Sequence, residues 1–315
     1  MDINNLLAFE PPGITIFGFK IYAYAIIIVC GMVAAFFVIS LLFKRRNMSP
    51  DLFLTFFCIC LPIAIVTTRL FYCITDGLPI KEWFALSSIR SGGLSIVGGI
   101  IGGAAGVAGV CFFKKVNFLR VGDCIVVGLL LAQSIGRWGN FANQEVYGGI
   151  VTNESLHFFP ISVYIEDVAE WHYAFFFYES MVTLTAAALM FLNAWKNPYK
   201  PNGINTALYF VVYGLTRSIM EPLRDKSFIL GDSVPWSMVM SICMLVAGLA
   251  ALFVLLFLNK KKEGKLIGSL RGEPYGISEY IADNKNETAY FNKINIMCTI
   301  YPEKYPKQEK KEKEK

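Results

Sequence analysis

Three short stretches of the chain place charged side chains inside strongly apolar segments. Arg69 lies in AIVTTRLFYCI, Glu179 lies in FFFYES, and both Arg217 and Glu221 lie in YGLTRSIMEPLR. Charged groups in such segments are costly, and they usually line a cavity or pair with one another. Arg217 and Glu221 are four residues apart, so a helix would bring them to one face where they can form an ion pair.

A fourth stretch, GRWGNFANQEVYGG, is the richest in side chains that could bind a ligand. It holds Arg137, Asn140, Asn143 and Glu145 among four glycines. The guanidinium group of Arg presents a rigid fork of donors that matches a phosphate group, and glycine lets a backbone approach a ligand closely. Arginines and amides gathered near one membrane face therefore predict the binding of a phospholipid headgroup.

Other kinds of site have little support in the sequence. His157 and His172 are the two histidines, and their spacing is not that of a pair of metal ligands. The chain has no G-x-S-x-G motif, so a serine hydrolase is not indicated. It has no C-x-x-C pair, so zinc binding and disulfide exchange are not indicated either. We expect no metal and no cofactor.

The composition indicates what kind of protein positions these groups. Of the 315 residues, 55% are hydrophobic and 17% are charged, whereas soluble domains carry about 25% charged residues. The segment 259–315 alone holds 22 of the 53 charged side chains. A nearly neutral, apolar body with a charged tail indicates a multi-pass membrane protein. The net charge of +5 comes mostly from the tail, so it does not indicate nucleic-acid binding.

Seven segments are apolar and long enough, some of them only just, to cross a bilayer as helices. They are 21–43, 52–74, 94–113, 121–135, 173–195, 204–220 and 235–258. Lys and Arg cluster after the first, third, fifth and seventh segments, and loops rich in these residues stay in the cytoplasm. The sequence predicts an all-α membrane protein with seven transmembrane helices, an outside N-terminus, a cytoplasmic C-terminus and a small extracytoplasmic head.

This topology divides the chain into three parts. We expect residues 1–20 to form an extracytoplasmic N-terminal arm and residues 21–258 to form the seven-helix transmembrane domain that carries the candidate site, with an extracytoplasmic loop at about 136–172. Residues 259–315 form a charged cytoplasmic tail that we expect to be disordered. The third segment contains GGLSIVGGIIGG, whose small-xxx-small spacing lets helices approach each other closely.

The stretch GRWGNFANQEVYGG resembles the signature of the prolipoprotein diacylglyceryl transferase family. All of the signature positions are occupied as in the family, by Gly136, Arg137, Gly139, Asn140, Phe141, Asn143, Glu145 and Gly148. Further similarity lies in IYAYAI, which contains Tyr24, in the stretch from Arg69 to Tyr72, in the glycine-rich segment, in FFFYES and in YGLTRSIMEPLR. The resemblance covers about residues 14–258.

The resemblance implies an enzyme of the bacterial plasma membrane. Members of this family move a diacylglyceryl group from phosphatidylglycerol to the thiol of the lipobox cysteine in a secreted precursor, which forms a thioether and releases glycerol phosphate. The implied partners are phosphatidylglycerol and lipobox-containing prolipoproteins, and no nucleic acid. We expect the chain to act as a monomer in the membrane.

The resemblance also implies which residues take part. Those expected to bind phosphatidylglycerol are Arg137, Asn140 and Arg217. Those expected to be catalytic are Tyr24, Glu145 and Glu221. Those given supporting roles are Arg69, Asn143, Gly148, Glu179 and Arg224.

The proton acceptor is not carried over by the resemblance. Many family members have a His before the Gly-Gly pair of the third helix, where it is assigned as the catalytic base, and that position is Val97 here. Glu145 could accept the thiol proton or orient Arg137, and we expect it to orient Arg137. Arg137 and Arg217 would bind the phosphodiester and stabilise the charge that builds on the leaving oxygen.

Two other functions remain open on the residues alone. Intramembrane Arg and Glu would also suit a transporter or channel for an anionic solute, although the chain lacks the internal repeats that many transporters have. A non-catalytic scaffold built on the glycine-rich helix is the other alternative. A thiol-lipidation assay separates these from a transferase, because only the transferase makes a thioether.

Overall fold

The computed structural model describes residues 9, 11–16, 19–79, 83, 95–196, 202–224 and 236–272. The α-helices in this part of the chain are α1 (Ala23–Arg45), α2 (Pro50–Thr75), α3 (Ile96–Lys114), α4 (Phe118–Ala142), α5 (Phe175–Lys196), α6 (Ile204–Met220) and α7 (Trp236–Gly272). The strands form two antiparallel hairpins, β1 (Gly13–Ile16) with β2 (Phe19–Tyr22) and β3 (Ser162–Ile165) with β4 (Glu170–Tyr173).

Six of the helices in the described ranges are long and apolar enough to cross a membrane, namely α1 to α5 and α7. The helix α6 has 17 residues and continues into a short 3-10 turn, Glu221–Leu223. The prediction of a helical membrane protein is therefore confirmed, with six candidate spans in place of the seven predicted. The two hairpins are the β-structure that the sequence did not predict.

The fourth helix is longer than predicted at both ends. The sequence predicted a span at 121–135, whereas α4 runs from Phe118 to Ala142 and so contains most of the signature stretch. Polar residues interrupt the apolar pattern near its end, which is why hydropathy alone ended the segment early. The side chain of Asn117 accepts a hydrogen bond from a backbone N–H of the first turn and so caps the helix.

The last helix is also longer than predicted. The sequence predicted a span ending at residue 258 and a tail from 259, whereas α7 continues to Gly272. Residues 259–272 contain four Lys and one Arg, which are good helix formers. The rest of the predicted tail, 273–315, lies outside the described residues.

Short connections make neighbouring helices antiparallel and give the bundle two different ends. Four residues join α1 to α2, and three join α3 to α4. We call the end where α1 begins, α4 ends, α5 begins and α6 ends the site end. The segment 143–174, which we call the head, connects α4 to α5 there and contains β3 and β4.

The main apolar core lies toward the opposite end and holds α1 to α5 together. Its buried members include Leu42, Phe43, Phe53, Phe56, Val110, Cys111, Val121, Cys124, Val127, Leu130 and Met190. The rings of Phe43 and Phe53 lie 5.5 Å apart. Because burial of aromatic side chains is strongly stabilising, this cluster anchors the helices far from the signature stretch.

A buried carboxylate at the same end fixes where α6 begins. Asp123 of α4 lies 3.3 Å from Arg46 Nη2. Its carboxylate also accepts hydrogen bonds from the backbone N–H groups of Gly203 (2.8 Å) and Thr206 (2.9 Å). Gly203 has no side chain to cap the helix, so the side chain from α4 satisfies backbone donors that would otherwise be unpaired.

Glycines bring α2 and α3 into close contact, as the small-xxx-small spacing predicted. A Cβ atom added at Gly98 would lie 2.4 Å from the carbonyl oxygen of Thr67, and one added at Gly102 would lie 1.8 Å from Thr67 Oγ1. No side chain fits at such distances. These two helices therefore form a tightly packed pair.

Candidate functional site

Five charged side chains meet at the site end, and we call them the Arg–Glu group. They are Arg137 of α4, Glu179 of α5, Arg217 of α6, and Glu221 and Arg224 of the segment that follows α6.

The carboxylate of Glu179 lies at the centre of this group. One of its oxygens is 2.5 Å from Arg137 Nη2. Its other oxygen is 3.6 Å from both Arg217 Nη1 and Arg224 Nη2. Glu221 faces the same two arginines, at 3.4 Å from Arg217 Nη2 and 3.5 Å from Arg224 Nη2. The helical pairing of Arg217 with Glu221 predicted from their spacing is confirmed.

Two serines hold the helices that carry Arg137 and Glu179. The hydroxyl of Ser134 donates to the carbonyl oxygen of Ser180 at 3.0 Å, and the hydroxyl of Ser180 donates to the carbonyl oxygen of Ser134 at 2.9 Å. The indole N–H of Trp138 donates to Ser180 Oγ at 3.2 Å. Ser134 precedes Arg137 by less than one turn and Ser180 follows Glu179 directly, so these bonds fix the two charged residues in register.

The Arg–Glu group has three guanidinium groups and two carboxylates, so its net charge is +1. Within the described chain, Arg217 Nη1 and Arg224 Nε and Nη2 are buried and have no hydrogen-bond partner, because ion pairs of 3.4–3.6 Å are longer than hydrogen bonds. Burial, followed by the neighbouring Arg217, lowers the pKa of Arg224. A bound monoanion would offset the excess charge.

Access to the Arg–Glu group is through two of its arginines. The side chains of Arg137 and Arg217 are 22% and 16% exposed, whereas those of Glu179 and Glu221 are 3% and 2% exposed. The carboxylates thus lie behind the guanidinium groups. An anion approaching from outside would meet positive charge first.

A tyrosine from α1 lies beside this group. The ring of Tyr24 covers Gly139, where an added Cβ atom would lie 2.7 Å from Tyr24 Cδ2. Tyr24 is also within electrostatic reach of Glu145 and Arg137. The missing side chain at Gly139 therefore lets α1 bring a hydroxyl group toward the end of α4.

Glu145 lies in a strained turn that follows α4. Its backbone N–H donates to the carbonyl oxygen of Asn140 at 2.9 Å. Its neighbours Gln144 and Val146 have φ of 50° and 58°, a conformation that is unfavourable for a β-branched residue. Burial raises the pKa of the Glu145 carboxyl group, and a hydrogen bond from Asn143 lowers it by less. The strained backbone is the kind that persists where a side chain must be held in place.

Gly148 connects the head to the end of α6. Its N–H donates to the carbonyl oxygen of Tyr173 at 3.0 Å, and it pairs with Arg224 in an antiparallel β-bridge. A Cβ atom added at Gly148 would lie 2.5 Å from Cε1 of Phe175. Only glycine therefore fits between β4 and the backbone of Arg224.

The structure pairs Arg137 with a carboxylate other than Glu145. The sequence analysis expected Glu145 to orient Arg137, but the described ion pair of Arg137 is with Glu179. The reason is geometric: α5 packs along α4, whereas the chain leaves α4 before it reaches Glu145. Glu179, to which the sequence gave a supporting role, is the carboxylate that lies within ion-pair distance of all three arginines.

The structure also separates Arg69 from the Arg–Glu group. Arg69 Nε donates to the carbonyl oxygen of Trp83 at 2.9 Å, and its guanidinium group lies over the ring of Tyr72. No ion pair among the described residues joins Arg69 to the five members of the group. Because α2 packs mainly on α3, this buried arginine lies apart from the helices that carry the Arg–Glu group.

The sequence did not predict the hydrogen bonds between Ser134 and Ser180 or the burial of His172. Ser180 directly follows Glu179 and Ser134 lies three residues before Arg137, both in apolar helices, and this placement was the signal. His172 is almost completely buried beside Gly148. In the described part of the chain, no three His, Cys, Asp or Glu side chains are grouped as metal ligands.

Comparison with known proteins identifies sequences similar to this chain. The family model described as prolipoprotein diacylglyceryl transferase matches residues 11–254. The protein named phosphatidylglycerol–prolipoprotein diacylglyceryl transferase 1 from Clostridium perfringens is 32% identical over 257 residues, which are 80% of this chain and 97% of the relative.

Two further relatives carry the name phosphatidylglycerol–prolipoprotein diacylglyceryl transferase. The protein from Streptococcus uberis is 33% identical over 81% of this chain and 97% of its own length. The protein from Finegoldia magna is 34% identical over 79% of this chain and 95% of its own length. The similarity thus extends over nearly the whole of each relative.

Proposed function

Because this chain belongs to the prolipoprotein diacylglyceryl transferase family, we propose that it transfers the diacylglyceryl group of phosphatidylglycerol to the lipobox cysteine of prolipoproteins. A bond forms between the cysteine sulfur and the terminal carbon of the glyceride. The bond between that carbon and the phosphate oxygen breaks, glycerol phosphate leaves, and the thiol loses its proton. Transport or a purely structural role, both open on the residues alone, do not fit a family of transferases.

The Arg–Glu group is the observation that carries this proposal. A phosphodiester bears one negative charge, and the group has one excess positive charge, with Arg137 and Arg217 partly exposed. Arg137 and Arg217 bind the phosphate oxygens, and Glu179 and Glu221 hold the guanidinium groups in place. As the carbon–oxygen bond breaks, charge builds on the leaving phosphate, and preorganised donors stabilise it.

The same positive charge acts on the attacking thiol. A free cysteine has a pKa of about 8.5 and attacks as the thiolate, so nearby guanidinium groups increase the reactive fraction. Holding the sulfur in line with the carbon–oxygen bond removes much of the entropic barrier. The site therefore needs a bound phospholipid and a positioned thiol, and it needs no cofactor for this step.

The remaining side chains take the roles that their positions support. Tyr24 donates to the phosphate, and Asn140 positions the glycerol headgroup. Because Glu179 orients Arg137, we assign Glu145 the other role considered for it, that of accepting the thiol proton. A raised pKa suits this role, because a proton acceptor works best when its pKa approaches that of the donor.

The distribution of basic residues supports an outer location for this site. Lys44, Arg45, Lys114 and Lys196 lie in the last turns of their helices, at the end of the bundle opposite the Arg–Glu group. Since basic ends stay in the cytoplasm, the site end faces the outer leaflet of the bacterial plasma membrane. The enzyme acts there as a monomer on secreted precursors.

The test is the transfer reaction itself. Purified wild-type enzyme, Arg137→Ala and the control Arg45→Ala are incubated with phosphatidylglycerol and a lipobox peptide, and the thioether product is measured by mass spectrometry. Arg45 is a matched arginine at the opposite end, where it bonds the carbonyl oxygen of Trp195. We expect Arg137→Ala to lose roughly 100-fold in rate and Arg45→Ala to remain near wild type. Wild-type rates from Arg137→Ala would refute the headgroup assignment.

A further inference from the structure

His172 makes a directed contact that the reaction described above does not use. Its side chain on β4 is 2% exposed. Ring atom Nδ1 lies 2.9 Å from the carbonyl oxygen of Gly148. A carbonyl oxygen only accepts hydrogen bonds, so Nδ1 carries a proton and donates it. The ring of Tyr147 lies against the imidazole, with 4.3 Å between the centroids.

Within the described ranges, the other ring nitrogen, Nε2, makes no contact that would hold the imidazole in its buried position. Nε2 has no hydrogen-bond partner among the described residues. The acidic group facing it is Glu170 of the same strand, whose Oε2 lies 3.6 Å away on a side chain that is 48% exposed. The contact that holds the imidazole in place is therefore the one to Gly148.

The backbone on the far side of Gly148 leads directly to the Arg–Glu group. Gly148 pairs with Arg224 in a β-bridge, and the N–H of Gly149 donates to the carbonyl oxygen of Leu223 at 3.2 Å. The two glycines thus lie between β4 on one side and Leu223–Arg224 on the other. A shift of the Gly148 carbonyl would move the backbone that carries the Arg224 guanidinium.

We propose that His172 is a positioning residue for phosphatidylglycerol: its Nδ1–H holds Gly148, and Gly148 holds Arg224 against Glu179 and Glu221. The inference rests on the proposed function, because it takes the Arg–Glu group as the phosphate site. The imidazole does not touch the lipid. Its effect is on the position of one guanidinium group and, through it, on the binding of the phosphodiester.

Two amide substitutions distinguish the contribution of Nδ1 from that of Nε2. The side-chain NH2 of Asn is placed approximately where Nδ1 lies, so His172→Asn keeps a donor for the Gly148 carbonyl. The NH2 of Gln is placed approximately where Nε2 lies, so His172→Gln loses that donor but remains polar. His172→Ala removes both. The positioning role predicts that Asn rescues function and that Gln does not.

Kinetics with a short-chain phosphatidylglycerol in detergent and a lipobox peptide test this. For His172→Ala and His172→Gln we expect the KM for phosphatidylglycerol to rise about tenfold, the effect of one lost hydrogen bond. The KM for the peptide should not change, and His172→Asn should lie near wild type in both. If the Ala variant does not fold, the comparison of Asn with Gln carries the test.

His157 is the matched control in the same head. Its Nε2 lies 2.8 Å from the carbonyl oxygen of Val151, so it also bonds a loop carbonyl, but in the described chain Val151 is not bridged to Leu223 or Arg224. We expect His157→Ala to leave the KM for phosphatidylglycerol unchanged. A rise in that control equal to the rise in His172→Ala would overturn the positioning role.

Other results of the same kinetic experiment would reject the positioning role. Unchanged KM values in all three His172 variants, or a parallel rise in the KM of both substrates, would show a merely structural histidine. Failure of the proposed function looks different, because the wild-type enzyme itself would then make no thioether. In that case, direct binding of phosphatidylglycerol to wild type and to His172→Gln still measures the positioning effect, and equal affinities reject it.

Discussion

Glu179 shows how one buried carboxylate can organise an anion site. It neutralises part of the charge of three arginines and keeps them from repelling one another, yet it leaves the group positive. A site of arginines alone would be costly to bury, because uncompensated charges in a low-dielectric interior are strongly destabilising. A site with equal numbers of Arg and Glu would have no net attraction for a phosphodiester. Three arginines and two carboxylates satisfy both requirements.

Replacing Glu179 by Gln should therefore disable transfer while the helices remain assembled. The amide keeps the shape of the side chain but leaves three arginines facing one carboxylate, which removes about 3 kcal/mol of favourable interaction. Because the arginines are then no longer held where charge builds in the transition state, we expect a rate roughly 100-fold lower. The rate is measured as thioether formation and compared with that of Glu154→Gln, an exposed acid in the head that should be unaffected. Equal rates in the two variants would contradict a central role for Glu179.

The raised pKa of Glu145 predicts a pH dependence. Burial makes its carboxyl group retain a proton to a higher pH than an exposed Glu would. If the carboxylate accepts the thiol proton, transfer declines as the pH falls through this raised pKa. Glu145→Gln should be slow throughout and lose this decline, and Glu145→Asp should keep it. The measured quantity is the ratio of wild-type to Gln-variant rates across pH, because thiol ionisation affects both equally. A ratio independent of pH would exclude this proton acceptor.

Among the helices, α4 contributes a charged side chain at each end of the bundle. It packs against α1, α5 and α6 and is the most buried of the candidate spans described. Asp123 near its start holds the beginning of α6, and Arg137 near its end meets the charged residues at the end of α6. The pairing of Arg137 and Arg217 with one carboxylate is thus set by helix contacts along the whole length of the bundle.

The α2–α3 pair provides a prediction about helix packing. Gly102→Ala would put a methyl group 1.8 Å from Thr67 Oγ1, so the helices must separate, at a cost of about 1–3 kcal/mol. Gly109 lies on the same helix and has nothing within 4 Å of an added Cβ atom, so Gly109→Ala is a matched control. We expect a lower melting temperature in detergent for Gly102→Ala only. A similar melting temperature for both would show that this contact is not tight.

For the molecule as a whole, the charge distribution predicts a definite orientation. In a chain whose own cysteines are replaced by Ala, Glu154→Cys in the head should react with a membrane-impermeant maleimide in intact spheroplasts. Lys115→Cys, which lies in the connection between α3 and α4, should react only after the membrane is opened. Labelling is read by mass shift. The reverse pattern would place the Arg–Glu group in the cytoplasm, away from secreted precursors.

Much of this architecture was predicted from local properties of the sequence. The long apolar segments, the alternation of basic loops and the signature stretch all depend on residues close together in the chain. The pairing of Arg217 with Glu221 was predicted for the same reason, since residues four apart on a helix share a face. The bounds of α4 and α7 were less well predicted, because charged and polar residues end a hydropathy pattern without ending a helix.

Local sequence patterns could not predict which residues meet between helices. Glu145 is near Arg137 in the chain and was expected to orient it, whereas the ion pair that the structure describes for Arg137 is with Glu179 of another helix. The same holds for the chain of contacts from His172 through Gly148 to Arg224. Spacing limits which residues share one helix face, but the packing of glycines, serines and aromatic rings between elements selects which faces meet. The partners of a buried charge follow from that packing.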